Sequence, residues 1–83
     1  MNAPVRSPKQ LGVAVRRFRR LRKYTQAALA NKAGLRQGTI SDVEGGLEGV
    51  RLSTIMDLLR ALDLELVIQP RTTGLHAEIE DMF

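Results

Sequence analysis

The feature that most constrains this chain is a glycine placed between two short apolar segments of helical period. Leu29 and Ala30 precede Gly34 on what would be one face of a helix. Ile40 and Val43 follow it at a spacing of three, which again puts them on one face. Glycine readily takes the left-handed conformation that ends many helices. The sequence therefore predicts two short helices that cross closely at the small Ala30 and are joined by a tight turn.

A longer helix is predicted before this pair. Ser7-Pro8-Lys9-Gln10 combines a serine cap, a proline at the first helical position and a glutamine three residues after the cap. An apolar stripe at spacings of three and four then indicates about four turns. Residues 1–6 show no periodicity and are expected to form a flexible arm.

Capping residues mark the remaining helices. Thr25 is expected to cap the second helix. The third is predicted to run from Arg36 or Gln37 to Glu44. Ser53 is expected to cap a fourth, whose buried side is aliphatic.

Residues 64–69, Leu-Glu-Leu-Val-Ile-Gln, are predicted to form a short strand that ends before Pro70. A single strand cannot satisfy its own backbone donors and acceptors, and the sequence offers no second strand. We therefore expect antiparallel pairing with the same strand of a second subunit in a homodimer. The dimerisation residues would be Leu64, Leu66, Val67 and Ile68. The predicted fold is all-α with this one strand, followed by an acidic, flexible tail over residues 71–83.

The charged residues are divided unequally along the chain. Residues 1–41 hold ten Lys and Arg and no Asp or Glu, whereas residues 42–83 hold three and nine. The first half therefore carries a formal +10 and the second −6, within a net charge of +4. A basic surface of this kind attracts a polyanion. The acidic half is expected to face a different partner.

Composition excludes several classes of protein. Eighty-three residues form one small domain and leave little room for an elaborate enzyme. Without cysteine, and with His76 as the only histidine, no disulfide, metal site, catalytic pair or cofactor is expected. No apolar run reaches about 18 residues, so membrane insertion is not indicated and a cytoplasmic location is expected. The Arg-rich, acid-free start also fits a mitochondrial transit peptide, but its helical pattern continues into the rest of the domain.

Two short helices joined by a tight turn form the helix-turn-helix arrangement, whose second helix enters the DNA major groove. The stretch YTQAALANKAGLRQGTISDVEGG resembles the Cro and phage-repressor-like (XRE) family, with its Gln, Ala, Gly and Thr-Ile-Ser positions. With SPKQL before it and LDLELVIQP after it, residues 7–70 look like the HipB-type antitoxins. Gly38, where relatives usually carry a side chain, and Asp63, where many have glycine, depart from the pattern.

The resemblance implies a homodimeric, lambda-repressor-like domain of four or five helices that binds palindromic operator DNA. It also implies a HipA-like kinase toxin as partner, repression of the protein's own operon, no enzymatic activity, and a place at the nucleoid in the bacterial cytoplasm. Two alternatives stay open: a stand-alone XRE repressor without a toxin, and a bridging module that uses the fold for protein contacts only. Base-reading side chains at Arg36 and Gln37 count against the bridging module.

The resemblance also implies roles for individual residues. Those matched to phosphate contacts, or expected beside them, are Gln26, Thr39, Thr25 and Lys23. Those matched to base-reading positions are Arg36, Gln37 and Ser41. Their chemistry agrees with these roles, because Arg binds guanine and Gln binds adenine bidentately, each good pair contributing about 1–3 kcal/mol of discrimination.

A further pair is implied to be structural. Arg19 and Glu44 match a family ion pair that links the first helix to the end of the third. The other basic residues of the first helix and the turn after it are expected to add long-range attraction to DNA without direct contacts. These are Arg16, Arg20 and Arg22, and Lys23 is expected to add long-range attraction besides its place near the phosphate contacts.

Overall fold

The computed structural model describes residues 3–71, which form four helices. Helix α1 is Pro8–Leu21, α2 is Gln26–Ala33, α3 is Gln37–Glu44 and α4 is Leu52–Ala61. The all-α prediction is confirmed for this part of the chain. Residues 1–2 and 72–83 lie outside the described residues, and with them nearly all of the predicted tail and His76.

Helix α1 begins at the predicted cap. The Ser7 side chain accepts a hydrogen bond from the backbone N–H of Gln10 at 3.1 Å, and Pro8 occupies the first helical position. The Gln10 side chain reaches back one residue further than a capping box requires and accepts from the N–H of Arg6 at 2.6 Å. The first turn and the end of the arm are thereby fixed to each other.

Local hydrogen bonds and backbone conformation also determine the turn between α2 and α3. Thr25 Oγ1 accepts from the N–H of Ala28 at 3.0 Å and caps α2. Gly34 ends the helix in the left-handed conformation with φ of 70°. The N–H of Leu35 then bonds to the carbonyl of Ala30 at 2.9 Å, which closes the turn.

The prediction that Ser53 caps α4 is wrong. The helix begins two residues earlier than a Ser53 cap would allow, at Leu52, with Arg51 in the capping position and no side-chain cap bond. The carbonyl of Arg51 accepts from the N–H of Ile55 at 3.1 Å. Ile55 and Leu58 are buried, so tertiary packing sets the register of this helix and overrides the preference of serine for a cap.

The core draws on all four helices. Leu29, Ile40, Leu58 and Leu62 are fully buried, with α2 packed against α4 and α3 packed against α1 and α2. The complete buried apolar set is Val15, Leu29, Ala30, Ile40, Val43, Ile55, Leu58, Leu59 and Leu62. This packing holds α2 and α3 rigidly while their outer faces stay in solvent.

Helix α1 meets the end of α3 at Gly12, which is buried. A Cβ added to Gly12 would lie 2.6 Å from the carbonyl oxygen of Glu44 and still closer to that of Val43. Only a residue without a side chain allows the two backbones to approach this closely. Gly12 therefore sets the distance at which α1 crosses the last turn of α3.

The chain leaves α4 through a left-handed residue. Asp63 has φ of 58°, as expected of a residue that tolerates the position usually held by glycine, and the N–H of Leu64 bonds to the carbonyl of Leu59 at 2.8 Å. No strand is present within residues 3–71 of this single chain. Leu66, Val67 and Ile68 are 49%, 69% and 101% exposed. The segment predicted to pair with a second subunit thus presents its apolar side chains to solvent.

Two glycines give a matched prediction about packing. Gly12→Val is expected to lower the free energy of unfolding by about 1–3 kcal/mol, because its side chain collides with the backbone of α3. Gly38→Ala is expected to raise it by up to about 1 kcal/mol, because nothing lies within 4 Å of the added Cβ inside α3. Urea unfolding followed by circular dichroism measures both. Equal effects of the two substitutions would contradict the close approach at Gly12.

Candidate nucleic-acid interface

Helix α3 has a buried face and a free face. Ile40 and Val43 are 0% and 2% exposed and anchor the helix in the core. The side chains matched to base-reading positions lie in solvent, and no hydrogen bond or ion pair ties any of them to another part of residues 3–71. They are Arg36, Gln37 and Ser41. This face can therefore offer its donors and acceptors to a nucleic acid without breaking internal contacts.

The residues matched to phosphate contacts have mixed surroundings. Lys23 is exposed at the turn after α1 and takes a left-handed conformation with φ of 61°. Thr25 is exposed, but its hydroxyl oxygen already accepts the capping bond of α2. Thr39 is half-buried on α3. Gln26, the first residue of α2, is half-buried because its side chain points to a buried carboxylate.

That carboxylate is Glu44, the last residue of α3, whose side chain is fully buried. Arg19 donates from Nε to Glu44 Oε2 at 2.6 Å and from Nη2 to Oε1 at 3.0 Å. Arg16 Nε and Gln26 Nε2 also donate to Oε1, at 3.2 and 3.3 Å. Arg19 in addition donates from Nη1 to the carbonyl of Tyr24 at 2.8 Å. We call these side chains, Arg16, Arg19, Gln26 and Glu44, the Glu44 cluster.

The Glu44 cluster keeps its carboxylate charged. Burial by itself would raise the pKa of Glu44, but the hydrogen bonds from Arg19, Gln26 and Arg16 and the charge of Arg19 outweigh that effect and lower the pKa below its ordinary value. The hydrogen bond to Glu44 in turn raises the pKa of Arg19 against the opposing effect of burial. The cationic ends also lie beside the C-terminus of α3, where the helix dipole favours positive charge.

The structure brings together Arg19 and Glu44, the pair implied by the resemblance, and adds two donors that the sequence did not reveal. Arg16 was expected to act only at long range, and Gln26 only on a phosphate. A signal was available for Arg16, because Gly12, Arg16 and Arg19 share one face of α1 at spacings of four and three. The Gln26 contact depends on where α2 lies relative to α3 and has no local signature.

Comparison with known proteins shows which family this chain belongs to. The helix-turn-helix family HTH_3 matches residues 15–68. Antitoxin HipB of Escherichia coli K12 is 36% identical over 62 residues, which cover 75% of this chain and 70% of HipB. The chain belongs to this helix-turn-helix family, alongside HipB.

Solved HipB structures share the fold of this HipB-like chain. A serine-to-alanine variant of HipB in complex with an O2 20-mer superimposes with a TM-score of 0.80 at 32% identity, over 87% of this chain and all of that one. The matching chain of a HipA–HipB–O2–O3 complex gives a TM-score of 0.77 at 32% identity, over 83% of this chain and 97% of the matching chain. The fold of the four helices is therefore similar to that of HipB.

Residues 3–71 contain no candidate for a metal site and no candidate for a membrane span. No group of three or more His, Asp or Glu side chains in this range lies close enough to hold a metal ion. None of the helices in the same range has both the length and the apolar character needed to cross a membrane.

The Glu44 cluster predicts a pH-dependent stability. Because the pKa of Glu44 is lower in the folded than in the unfolded chain, its contribution is complete above the unfolded pKa, near 4.5, and is lost as the pH falls through the folded pKa. At about pH 7, Glu44→Gln is expected to lower the free energy of unfolding by about 3–5 kcal/mol, because Arg19 loses its charged partner. The difference from wild type is expected to shrink at about pH 3.

Urea unfolding at a series of pH values measures this difference. Glu48→Gln is the control, since Glu48 is an exposed carboxylate in the loop after α3. The control is expected to follow the wild type at every pH. A deficit of Glu44→Gln that stays constant down to acid pH would show that the carboxylate charge is not what stabilises the cluster.

Proposed function

We propose that this chain is the DNA-binding antitoxin of a HipBA-like toxin–antitoxin system. It represses its own operon and binds a HipA-like kinase toxin. The observation that carries the proposal is the joint likeness, in sequence and in fold, to HipB proteins solved in complex with operator DNA and with HipA. The role needs no catalysis and no cofactor from this chain, and it places the protein at the nucleoid in the bacterial cytoplasm.

The side chains on the free face of α3 recognise the base sequence of the DNA. Arg36 and Gln37 stand at the start of the helix, where side chains of a recognition helix reach base edges in the major groove. Ser41 follows one turn later on the same exposed side. Gly38 contributes no side chain between them, so fewer base pairs are read directly and the backbone can approach the DNA more closely.

Residues at and around the start of α2 contact the DNA phosphates. Gln26 opens the helix, and its amide can donate to a phosphate next to the positive end of the helix dipole. Thr25, Lys23 and Thr39 supply further donors around it. Such contacts fix the register of the protein on DNA and carry no sequence preference.

A homodimer forms through residues 64–69. Leu64 is half-buried against the core, while Leu66, Val67 and Ile68 are exposed on a backbone that has no strand partner among residues 3–71. Antiparallel pairing with the same segment of a second copy would satisfy that backbone and cover those side chains. The two-fold axis would relate two recognition helices and match a palindromic operator with half-sites about 34–36 Å apart.

The acidic second half is the candidate surface for the toxin. The exposed carboxylates of the described part of this half, apart from Asp42 on α3, include Glu48, Asp63 and Glu65. They lie outside α2 and α3, so a partner could bind them while the recognition helix stays on DNA.

Recovery of a HipA-like kinase with the tagged protein from its native host tests this partnership. A protein that binds DNA specifically but recovers no kinase would leave the stand-alone repressor, and one that binds no DNA would leave the bridging module.

Truncating Arg36 and truncating Gln26 are expected to affect DNA binding in different ways. Arg36→Ala removes a base contact and should relax the preference at one position of each half-site, with a loss of about 1–3 kcal/mol on the best sequence. Gln26→Ala removes a phosphate contact and should weaken binding to all sequences similarly. Selection from a random duplex library followed by titration of matched and mismatched sites measures both. Equal loss of discrimination from the two changes would overturn the assignment.

Val67→Pro is expected to abolish dimerisation. Proline removes the backbone N–H and cannot sit inside a paired strand. Light scattering should report a dimer for the wild type and for Val67→Ile, which keeps a β-branched side chain, and a monomer for Val67→Pro. Val67 is exposed and lies outside the buried core, so the substitution leaves the packing of the helical domain intact. Persistence of the dimer in Val67→Pro would refute pairing through this segment.

A further inference from the structure

The Glu44 cluster contains one more positive charge than its carboxylate can neutralise. Each of the three side-chain nitrogens of Arg19 donates a hydrogen bond inside the protein, to Glu44 or to the carbonyl of Tyr24, and the side chain is only 11% exposed. Arg16 is bound to the same carboxylate, but its side chain is 48% exposed. The uncompensated charge of the cluster therefore sits at the surface, on Arg16.

Arg16 is held by one end only. Its Nε donates to Glu44 Oε1 at 3.2 Å, and its two terminal nitrogens meet no hydrogen-bond partner among residues 3–71. A guanidinium tethered at Nε keeps its direction while the fork of terminal N–H groups stays free. This is the geometry in which arginine binds a phosphate bidentately with little loss of side-chain entropy.

Gln26 is held beside Arg16 by the same atom. Its Nε2 donates one hydrogen to Glu44 Oε1 at 3.3 Å, which leaves the second amide hydrogen for another acceptor. Glu44 Oε1 thus fixes the positions of an amide donor and a guanidinium donor next to each other at the first residue of α2. An anion lying there would receive bonds from both and balance the surplus charge.

We propose that Arg16 is a phosphate-binding residue which, together with Gln26, binds one backbone phosphate in each operator half-site. Glu44 is the positioning residue that directs both donors and does not touch the DNA. The inference rests on the proposed operator-binding function and deepens it. It replaces the expectation that Arg16 attracts DNA only at long range.

The salt dependence of binding tests the direct contact. The probe is the duplex that the wild-type protein selects from a random-sequence library. Arg16→Ala is expected to reduce the slope of log K against log salt by about 0.9 for each protomer bound. Arg17→Ala is the matched control, because it removes the same charge from the neighbouring exposed position of α1, which makes no contact with Glu44. Its effect on the slope is expected to be distinctly smaller.

Uncharged phosphate substitutes locate the contact. A single methylphosphonate moved along the selected duplex should weaken wild-type binding strongly at one position of each half-site. The same substitution should have little further effect on Arg16→Ala, because the contact is already gone. Arg16→Lys keeps the charge but loses both the Nε tether and the fork, so it should also lose most of the sensitivity at that position. If melting curves show that Arg16→Ala is unfolded, Arg16→Lys takes its place in this comparison.

The outcomes separate this inference from the function on which it rests. A protein that selects no duplex overturns the operator-binding function and the inference together. Selection of a duplex, with equal slopes for Arg16→Ala and Arg17→Ala, overturns the inference alone. So does a methylphosphonate profile that is the same for wild type and Arg16→Ala.

Discussion

A buried carboxylate at the end of α3 fixes the arrangement of the helices that face DNA. Glu44 accepts bonds from Arg16 and Arg19 of α1 and from Gln26 of α2, so a single side chain joins three of the four helices. Such a cluster adds little net stability, because removing a carboxylate from water costs about as much as its bonds return. Its effect is on geometry: hydrogen bonds are directional, and apolar contacts of the same area would let α2 slide against α3.

The same cluster explains how a strongly basic half-chain folds. Ten cations and no acid within residues 1–41 would repel one another across a small domain. Glu44 comes from the acidic half and reaches back into the basic one, where it compensates one guanidinium fully. The remaining cations lie on the surface, so the positive field that attracts DNA is kept while the interior is electrically balanced.

What could be predicted from the sequence was local. Ser7, Thr25 and Gly34 act within their own turns, and the structure has each of them in its predicted role. Ser53 does not cap α4, because the burial of Ile55 sets the helix register. Local rules fail wherever the answer depends on how helices cross.

The candidate site shows the same division. Side chains on the free face of α3 follow from helical period and from family resemblance. The bonds of Arg16 and Gln26 to Glu44 span 28 and 18 residues of sequence, and they exist because Gly12 lets α1 reach the end of α3. A glycine inside an amphipathic helix costs about 1 kcal/mol of helix propensity, and here it allows the close helix crossing on which the geometry of the cluster depends.

The segment after α4 links folding to recognition. Leu64 packs on the core, while the exposed Val67 lines one side of a groove whose other side includes Leu11 and Phe18 of α1. Within residues 3–71 this segment has exposed apolar side chains and no strand partner, and a second copy of the chain would cover the side chains and pair the backbone. Pairing would also fix the separation of the two recognition helices, so affinity for an operator would rise with the fraction of dimer. The surface that completes the fold would then also set the concentration at which repression begins.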